Sequence, residues 1–459
     1  MKIIQGLSDG QVLQRGENGC DIRFTAEGKG RLHVSPGEIT PLGDNRFRLT
    51  GIPVGGPYRL TLTDDENEAE VEDVYVGDVW LLAGQSNMEG AGVRREKDAA
   101  YDESPLPEVR AYYMDGRWDA AKSRLHQLWL LPDAHAGVRE KHRAMNAGFL
   151  ELYKEFTLDT ASGVGPGLYI ARRLYALTGV PQGLIPCGFG GASLWDWSPD
   201  NRTSASLYRC MLRRFADCGS HVGGVFWYQG ESEAMCGESD TFLEKTKLFV
   251  TRLRADTGDP SLPFVQAQLG PCTLPQLANE ASADSWRRVR VLQMQMPQQL
   301  NKTATVSTMD ASLQDMIHLD AASQERLGGR MAEEMFRLRG GDTEEQPTVG
   351  DVTVYPHPIN RGRSVIALTF DHVVGELTSV GQPRGFSVTL DDETPYLYPY
   401  RYLSEIRLEG NRALLTVEDG YVPKERACVW YGAGFSCVAT VTDGAGRPLT
   451  AFGPVKITT

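Results

Sequence analysis

The pattern of apolar and polar positions divides the chain into three regions. Up to about residue 72, segments such as Arg46–Thr50 and Tyr58–Thr63 alternate apolar and polar side chains between turn-forming residues, which is typical of β-strands. From there to about residue 340, short apolar runs alternate with helical patterns, and after a Gly-, Glu- and Pro-containing linker the alternating pattern returns. The pattern predicts a β-sandwich-like N-terminal domain, a central α/β domain and a C-terminal β domain, with boundaries at 1–72, 73–340 and 350–459.

Five short apolar runs in the central region predict buried strands: Val79–Ala83, Gly183–Cys187, Gly224–Tyr228, Phe264–Leu269 and Thr303–Thr308. Helical spacing lies between them, for example at Gly167–Ala176 and Ala321–Leu338. Strands that alternate with helices favour a parallel sheet covered on both faces. A long connection, residues 89–160, follows the first strand, and we expect it to form a wall of a substrate cleft.

Small or polar residues follow four of these strands. They are Gly84-Gln-Ser-Asn87, Gly188-Phe-Gly-Gly-Ala-Ser193, Gln229-Gly-Glu-Ser-Glu233, and the segment from Asp310 to Asp315-Met-Ile-His318. Because ligands bind at the carboxyl ends of strands in open α/β sheets, we expect these four loops to face a common crevice.

The residue types in these loops satisfy the requirements of acyl transfer. A serine hydroxyl becomes a good nucleophile only when a base takes its proton, so Ser86 requires a partner such as His318. Asp315, three residues earlier, can accept the other ring N–H and fix the tautomer. The candidate oxyanion donors are the backbone N–H groups of Ser86, Gly190 and Gly191 and the side-chain amide of Gln229.

The four blocks resemble those of the SGNH hydrolases, and more narrowly those of the sialate O-acetylesterases and related carbohydrate acetylesterases. The matching motifs are Gly-Gln-Ser-Asn-Met (84–88), Gly-Gly-x-x-Leu-x-x-Trp (190–197), Trp-Tyr-Gln-Gly-Glu-Ser (227–232) and Asp-x-x-His (315–318). The resemblance implies a flavodoxin-like core with a five-stranded parallel sheet, and a Ser86, Asp315, His318 triad. Many SGNH hydrolases carry an Asn where this chain has Gln229, whereas the acetylesterase branch carries Gln.

The activity that the resemblance implies is removal of O-acetyl groups from carbohydrates, either sialic acid or hemicellulose-derived oligosaccharides, through an acetyl-enzyme. Alternatives are an esterase for another short acyl group or a non-sugar alcohol, and a carbohydrate-binding protein without catalysis. The intact Ser, Asp and His argue against the last alternative.

Several positions carry alternative interpretations. Ser86 could be a helix N-cap, Asp310 could replace Asp315 as the orienting carboxylate, and Asp320 is expected to cap the helix that follows it. Gln85 and Glu231 are candidate substrate-binding residues, and Glu231 could instead orient Gln229 or be a buried structural carboxylate. Four aromatic residues could stack on a sugar or belong to the core: Trp195, Trp197, Trp227 and Tyr228.

Composition and charge limit the partners. The 459 residues carry a formal net charge of −13, which argues against a nucleic-acid partner because such proteins need a basic surface. There is no apolar run long enough to span a membrane and no signal-peptide pattern at the start, and the eight cysteines are scattered, so we expect reduced thiols and a cytoplasmic location. The histidines at 126, 135 and 142 lack a metal-ligand spacing, so no metal or other cofactor is expected. No oligomeric state is predicted.

Overall fold

The structure is a computed structural model that describes residues 1–93, 104–152, 162–274, 280–391, 395 and 402–457. Within these residues the chain is a mixed α/β protein. The strands are β1 Lys2–Gln5, β2 Val12–Gly16, β3 Gly19–Glu27, β4 His33–Ser35, β5 Glu38–Gly43, β6 Arg46–Thr50, β7 Gly55–Thr63, β8 Glu68–Gly84, β9 Gly92–Val93, β10 Val109–Tyr112, β11 Trp118–Ala120, β12 Ser162–Val164, β13 Gln182–Pro186, β14 Gly224–Tyr228, β15 Phe264–Ala267, β16 Thr303–Val306, β17 Thr348–Pro356, β18 Arg363–Asp371, β19 Thr378–Ser379, β20 Phe386–Leu390, β21 Leu403–Glu409, β22 Arg412–Glu418, β23 Ala427–Tyr431, β24 Val441–Thr442 and β25 Phe452–Lys456.

The α-helices are α1 Ser86–Glu89, α2 Ala136–Leu152, α3 Gly167–Thr178, α4 Leu207–Asp217, α5 Glu231–Cys236, α6 Ser239–Thr257, α7 Glu280–Gln299 and α8 Ala321–Leu338. Among the described residues, none of these helices is both long and apolar enough to cross a membrane.

The strands predicted from the apolar runs are confirmed, and most ends differ by a few residues at most. The exception is Val79–Ala83, which forms only the last part of a strand that begins at Glu68. The five central runs are β8 and β13–β16, and the two named helical patterns are α3 and α8. The sequence pattern missed β10, a buried strand of only four residues inside the long connection after Ser86. That connection therefore contributes to the sheet as well as to the surface.

The chain forms two compact units. The first comprises Met1–Tyr228, Leu248–Phe264 and Gln324–Met335, and the second comprises Gln229–Lys247, Val265–Ser323 and Phe336–Thr459. The division into three domains along the sequence stays a prediction, and its first boundary, between residues 72 and 73, falls inside strand β8.

In the first unit, the 17-residue strand β8 is the central element. Its first part pairs antiparallel with β7 and parallel with β2, and its last part lies between β13 and β14, both parallel to it. Strand β10 continues the parallel order next to β13. Because Pro186 pairs with Leu82 and Tyr228 with Gly84, the carboxyl ends of three parallel strands share one edge.

The N-terminal strands of this unit bury one face each. Along β3, Cys20, Ile22, Phe24 and Ala26 alternate with more exposed residues, as the two-residue period of a strand requires. They pack in one apolar cluster with residues of neighbouring strands, including Leu49 of β6. The alternation read from the sequence is therefore the alternation between core and solvent.

In the second unit, β15 pairs with β16, and the C-terminal residues form a four-stranded antiparallel sheet, β17-β18-β22-β21, and a three-stranded one, β20-β23-β25. Their apolar residues share one cluster that includes Phe370, Phe386 and Tyr431. Arg290 of α7 is fully buried and donates to the carbonyl oxygens of Leu269, Gly270 and Gly432. A buried guanidinium is tolerated only when its N–H groups are satisfied in this way, so Arg290 fixes α7 against the loop after β23.

Close packing of α8 on α3 generates a stability prediction with a built-in control. A Cβ at Gly328 would lie 2.7 Å from both the Pro166 carbonyl oxygen and the Tyr169 Cβ, whereas no described atom lies within 4 Å of a Cβ at Gly329. We expect Gly328→Ala to lower the free energy of unfolding by about 1–3 kcal/mol through overpacking. Gly329→Ala should raise it by about 0.5–1 kcal/mol, since alanine favours the helix.

Urea unfolding of the two single variants measures both effects. Equal effects of the two substitutions would contradict the close approach of these helices.

The long connection is anchored by His126, which is 4% exposed and whose Nδ1 lies 2.9 Å from the Glu89 carbonyl oxygen. Since a carbonyl only accepts, Nδ1 carries the proton. Burial lowers the pKa of His126 to about 3, even though the bond to Glu89 favours the charged form. The folded protein therefore holds this imidazole neutral.

This lowered pKa predicts how stability depends on pH. The unfolded chain takes up a proton at His126 below about pH 6.5 but the folded chain does not, so its contribution is complete above pH 6.5 and is lost as the pH falls towards 3. From pH 7.5 to 5 the loss amounts to about 2 kcal/mol. We expect His126→Gln to be less stable at pH 7.5 but to lose about 2 kcal/mol less on acidification, measured by urea unfolding at both pH values. Parallel losses in the two proteins would show that His126 does not carry this effect.

Candidate active site

The turn that carries Ser86 is set by the close approach of two strands. Gly84, the last residue of β8, has φ 136°, and a Cβ there would lie 2.1 Å from the Tyr228 carbonyl oxygen. The next residue, Gln85, donates its N–H to that same carbonyl at 2.8 Å. Only glycine tolerates both the backbone conformation and the contact. The chain therefore leaves the sheet at this point and presents Ser86 directly at the strand end.

Ser86 is the first residue of the one-turn helix α1 and is partly exposed, between the buried Gln85 and Asn87. The N-cap position belongs to Gln85, and no side chain caps the helix, so the interpretation of Ser86 as a structural N-cap does not hold. A partly exposed hydroxyl between buried neighbours is accessible to a substrate while its backbone is held.

The second block lies beside this serine. A Cβ at Gly190 would lie 3.6 Å from the Ser86 Cβ, and Phe189 donates its N–H to the Gly84 carbonyl at 3.1 Å. Gly191 follows with φ 69° in a turn closed by the Ala192 N–H on the Phe189 carbonyl. The structure thus brings Ser86 and the Gly190-Gly191 loop together, as expected for neighbouring parallel strands.

Sequence reasoning missed Glu89 in this part of the site. Its carboxylate oxygen Oε2 accepts the Gly190 N–H, and its other oxygen lies 3.9 Å from His142 Nε2. The Gly190 N–H, predicted to be an oxyanion donor, is therefore bound to a carboxylate in this structure. The signal available in the sequence was spacing: Glu89 lies three residues after Ser86, on the same side of a helical turn.

In the second unit, Gln229 is fully buried, and its side-chain amide nitrogen donates to the carboxylate of Glu233. Its backbone oxygen accepts from Gln293 Nε2 at 3.1 Å, and Gln293 in turn accepts the Leu269 N–H at 2.8 Å. Glu233, 1% exposed, thus holds Gln229, the role that the sequence suggested for Glu231. The spacing of four residues at the start of α5 is the signal that could have identified it.

Asp315 and His318 form a hydrogen-bonded pair in the second unit. The Asp315 carboxylate accepts from His318 Nδ1 at 2.7 Å, and its other oxygen accepts the N–H groups of Ile317 and His318, both at 2.8 Å. Burial raises the pKa of Asp315, but these hydrogen bonds and the histidine charge outweigh it and leave that pKa below its ordinary value. The carboxylate is therefore ionised and fixes the imidazole with its proton on Nδ1.

The turn around this pair is closed by backbone contacts. Leu313 and Leu319 form an antiparallel bridge, and the Gln314 N–H donates to the His318 carbonyl at 2.7 Å. Asp320 accepts the Ser323 N–H at 2.8 Å at the start of α8, so its prediction as a helix cap is confirmed. The carboxylate that contacts the His318 ring is Asp315, and the alternative role for Asp310 is not the one observed.

The aromatic candidates separate sharply by exposure. Trp197 is fully buried and packs edge-on against Trp227, with ring centroids 5.3 Å apart, so its prediction as a sugar-binding residue is wrong. Trp227 and Tyr228 of strand β14 are also buried, at 0% and 1% exposure. Trp195, in contrast, is 60% exposed.

The two polar candidates for substrate binding are both buried: Gln85 is 4% exposed and Glu231 is 2% exposed. In the part of the chain that the structure describes, no group of three or more His, Cys, Asp or Glu side chains is placed to hold a metal ion. The described contacts thus form two groups: the Ser86 turn with the Gly190 loop in one unit, and Gln229 with Glu233 and Asp315 with His318 in the other.

Comparison with known proteins connects these blocks to one family. The family model described as "Carbohydrate esterase, sialic acid-specific acetylesterase" matches residues 76–337. The protein named "Probable carbohydrate esterase At4g34215" from Arabidopsis thaliana is 25% identical over 295 residues, which is 60% of this chain and 96% of that protein.

Among solved structures, the crystal structure of XAC1771, "a novel carbohydrate acetylesterase from Xanthomonas citri", resembles this chain with a TM-score of 0.72 at 23% identity, over 98% of both chains. That likeness establishes a common fold along nearly the whole length. With more than half of its residues matched by the family model, the chain belongs to the carbohydrate esterase family of sialic acid-specific acetylesterases and is a carboxylic ester hydrolase, as its sequence motifs predicted.

Proposed function

We propose that this protein is a serine esterase that removes O-acetyl groups from carbohydrates, on a flavodoxin-like SGNH core built around a five-stranded parallel sheet. The observation that carries the proposal is the 2.7 Å hydrogen bond between Asp315 and His318. An ionised carboxylate that orients an imidazole through its Nδ1–H is the arrangement by which hydrolases prepare a general base. The partly exposed Ser86 at the end of β8 supplies the nucleophile.

The proposed triad is Ser86, His318 and Asp315. Because the Nδ1–H of His318 is committed to Asp315, Nε2 is the ring atom that takes the hydroxyl proton. Family membership supports the assignment, since the matched region contains all three residues. The closed turn at 313–319 supports it further, because a base must keep its orientation through the reaction.

The reaction has two steps. Ser86 Oγ forms a bond to the acetyl carbonyl carbon while its proton moves to His318 Nε2, giving a tetrahedral oxyanion. The bond to the sugar oxygen then breaks, and that oxygen leaves as a hydroxyl with the proton from His318. In the second step a water attacks the acetyl-enzyme and gives one proton to His318. The Ser86 ester bond breaks, Oγ takes that proton from His318, and acetic acid leaves and ionises to acetate in water.

The oxyanion donors that we propose are the N–H groups of Ser86, Gly190 and Gly191 and the side chain of Gln229. Each such donor is typically worth about 2.7–4 kcal/mol of the activation barrier. Since the Gly190 N–H is bound to Glu89, its participation requires this carboxylate to move away as the oxyanion forms. The Gln229 side-chain amide donates to Glu233, and this contact orients the amide.

The proposed substrate is an acetylated sugar, either a sialic acid or a hemicellulose-derived oligosaccharide. The family description names sialic acid, and the names of the relatives in Arabidopsis thaliana and Xanthomonas citri refer to carbohydrates. The exposed indole of Trp195, in the loop after β13, provides a face on which a sugar ring can stack.

The assignment of the nucleophile is tested by Ser86→Ala. Without the hydroxyl no acetyl-enzyme forms, so we expect kcat for p-nitrophenyl acetate to fall by at least about 10⁴-fold. The fold should survive because the Ser86 backbone, held between Gln85 and Asn87, is unchanged. Release of p-nitrophenol and circular dichroism measure the two outcomes.

Ser261→Ala is the matched control, since this exposed serine lies outside the proposed site and should leave kcat unchanged. A series of longer aryl esters on the unmodified enzyme identifies the acyl group, because an acetyl-specific site should lose activity steeply with chain length. Full activity in Ser86→Ala would refute the proposal.

The contact between Glu233 and Gln229 generates a second prediction. Glu233→Ala leaves the Gln229 amide without the acceptor that orients it, so we expect kcat to fall about 10–100-fold with KM nearly unchanged. Glu233→Gln keeps an acceptor oxygen at the same place and should recover most of the activity. Steady-state kinetics with p-nitrophenyl acetate separate kcat from KM, and a change confined to KM would exclude this positioning role.

A further inference from the structure

Two of the eight tryptophans are exposed, and one of them belongs to no motif. Six are at most 6% exposed, whereas Trp195 and Trp129 are 60% and 50% exposed. Trp129 lies in the short 3-10 helix Leu128–Leu130, within the long connection after Ser86. Tryptophan is enriched among the residues that contribute most to binding, because it supplies a large and rigid contact surface.

The indole of Trp129 is held in place by two neighbours. The Arg124 guanidinium carbon lies 5.7 Å from its ring centre, and the His142 ring centre lies 6.4 Å away with the planes tilted by 35°. Arg124 is itself anchored by its backbone N–H on the Gly163 carbonyl at 3.1 Å. A ring held in this way loses little conformational entropy when a ligand packs against it.

A short chain of contacts connects Trp129 to Ser86. His142 lies between the indole and Glu89, with its Nε2 3.9 Å from the Glu89 carboxylate. The other Glu89 oxygen accepts the Gly190 N–H, and a Cβ at Gly190 would lie 3.6 Å from the Ser86 Cβ. One imidazole and one carboxylate therefore separate the exposed indole from the serine, all within the first compact unit.

We propose that Trp129 is the stacking platform for the sugar ring that carries the acetyl group, with Glu89 and His142 facing the hydroxyl groups of that ring. This inference rests on the proposed function and identifies how that site recognises the carbohydrate. The C–H face of a pyranose carries partial positive charge and packs against the negative face of an indole. The edge of the same ring carries hydroxyl groups, which need hydrogen-bond acceptors and donors.

The groups beside the indole provide both. The Glu89 carboxylate accepts hydrogen bonds, and burial keeps the pKa of His142 below its ordinary value, so its ring is neutral and both donates and accepts. A hydrocarbon alcohol would pack on the indole but would bring no hydroxyl groups to Glu89 and His142. A polyol satisfies both, which favours a sugar over an apolar alcohol.

The experiment compares an ester that contains a sugar ring with one that contains no ring. Glucose pentaacetate provides the pyranose, and ethyl acetate provides the same acyl group with nothing to stack; an aryl ester is unsuitable because its own ring could pack on the indole. We expect Trp129→Ala to raise KM for glucose pentaacetate at least fivefold with kcat within twofold, and to leave kcat/KM for ethyl acetate within twofold. Trp129→Phe, which keeps an aromatic face, should restore most of the affinity.

Leu130→Ala is the matched control, because it removes a 41% exposed apolar side chain from the same turn without altering the indole. It should leave both substrates unaffected. Equal losses on the two esters in Trp129→Ala would indicate damage to the structure of the connection, and unchanged KM for the sugar ester would show that nothing stacks there; either result overturns the inference.

The unmodified enzyme separates this inference from the proposed function. If the enzyme cleaves ethyl acetate and p-nitrophenyl acetate but not glucose pentaacetate, the proposal that Trp129 stacks on the sugar ring is overturned. The mechanism proposed for Ser86 is not affected by that result. No cleavage of any ester, or full activity of Ser86→Ala, refutes the mechanism itself.

Discussion

The site depends first on the contact between Gly84 and the carbonyl of Tyr228. No side chain fits between these two backbones, so β8 and β14 approach until the next N–H bonds to the same carbonyl. The strand cannot continue beyond this point, and the serine that follows it is left partly exposed at the edge where three parallel strands end. The position of Ser86, the proposed nucleophile, is thus a consequence of backbone packing, and any residue other than glycine at position 84 would displace it.

Two carboxylates to which the sequence motifs assigned no role contact two of the predicted oxyanion donors. Glu233 accepts from the Gln229 amide and Glu89 from the Gly190 N–H, so both donors are satisfied before a substrate arrives. The two contacts differ in what the proposed mechanism requires of them. Glu233 accepts from a side-chain amide and can orient it. Glu89 accepts the single hydrogen of the Gly190 backbone N–H, so in that mechanism it competes with the oxyanion, and its negative charge disfavours the developing charge until it finds another partner.

The sequence predicted the strands, the serine turn and the Asp315–His318 pair because these rest on local rules: apolar runs form buried strands, glycine permits the turn, and Asp-x-x-His is short enough to close on itself. It missed β10 because four residues give too little periodicity to detect. It could not separate Trp195 from Trp197, since residues two apart in an irregular loop point in different directions, and only the packed partners of Trp197 show which one is core. Glu89 and Glu233 were missed because their spacing becomes meaningful only once a helical turn is known to start there.

The loops at the strand ends and the connection after Ser86 have different proposed roles. The groups that we propose for ester hydrolysis lie in loops that follow the strands, and the Ser86 turn is positioned by the contact between β8 and β14. The connection after Ser86 is longer and carries the groups that a particular alcohol would contact, and it is tied to the sheet by β10 and to the serine turn by His126. Because Trp129 and His142 belong to this connection, the surface that we propose to bind the alcohol can change by substitution there without altering the residues that we propose to cleave the ester. In the proposals made here, recognition of the sugar and cleavage of the acetyl group depend on different segments of the chain.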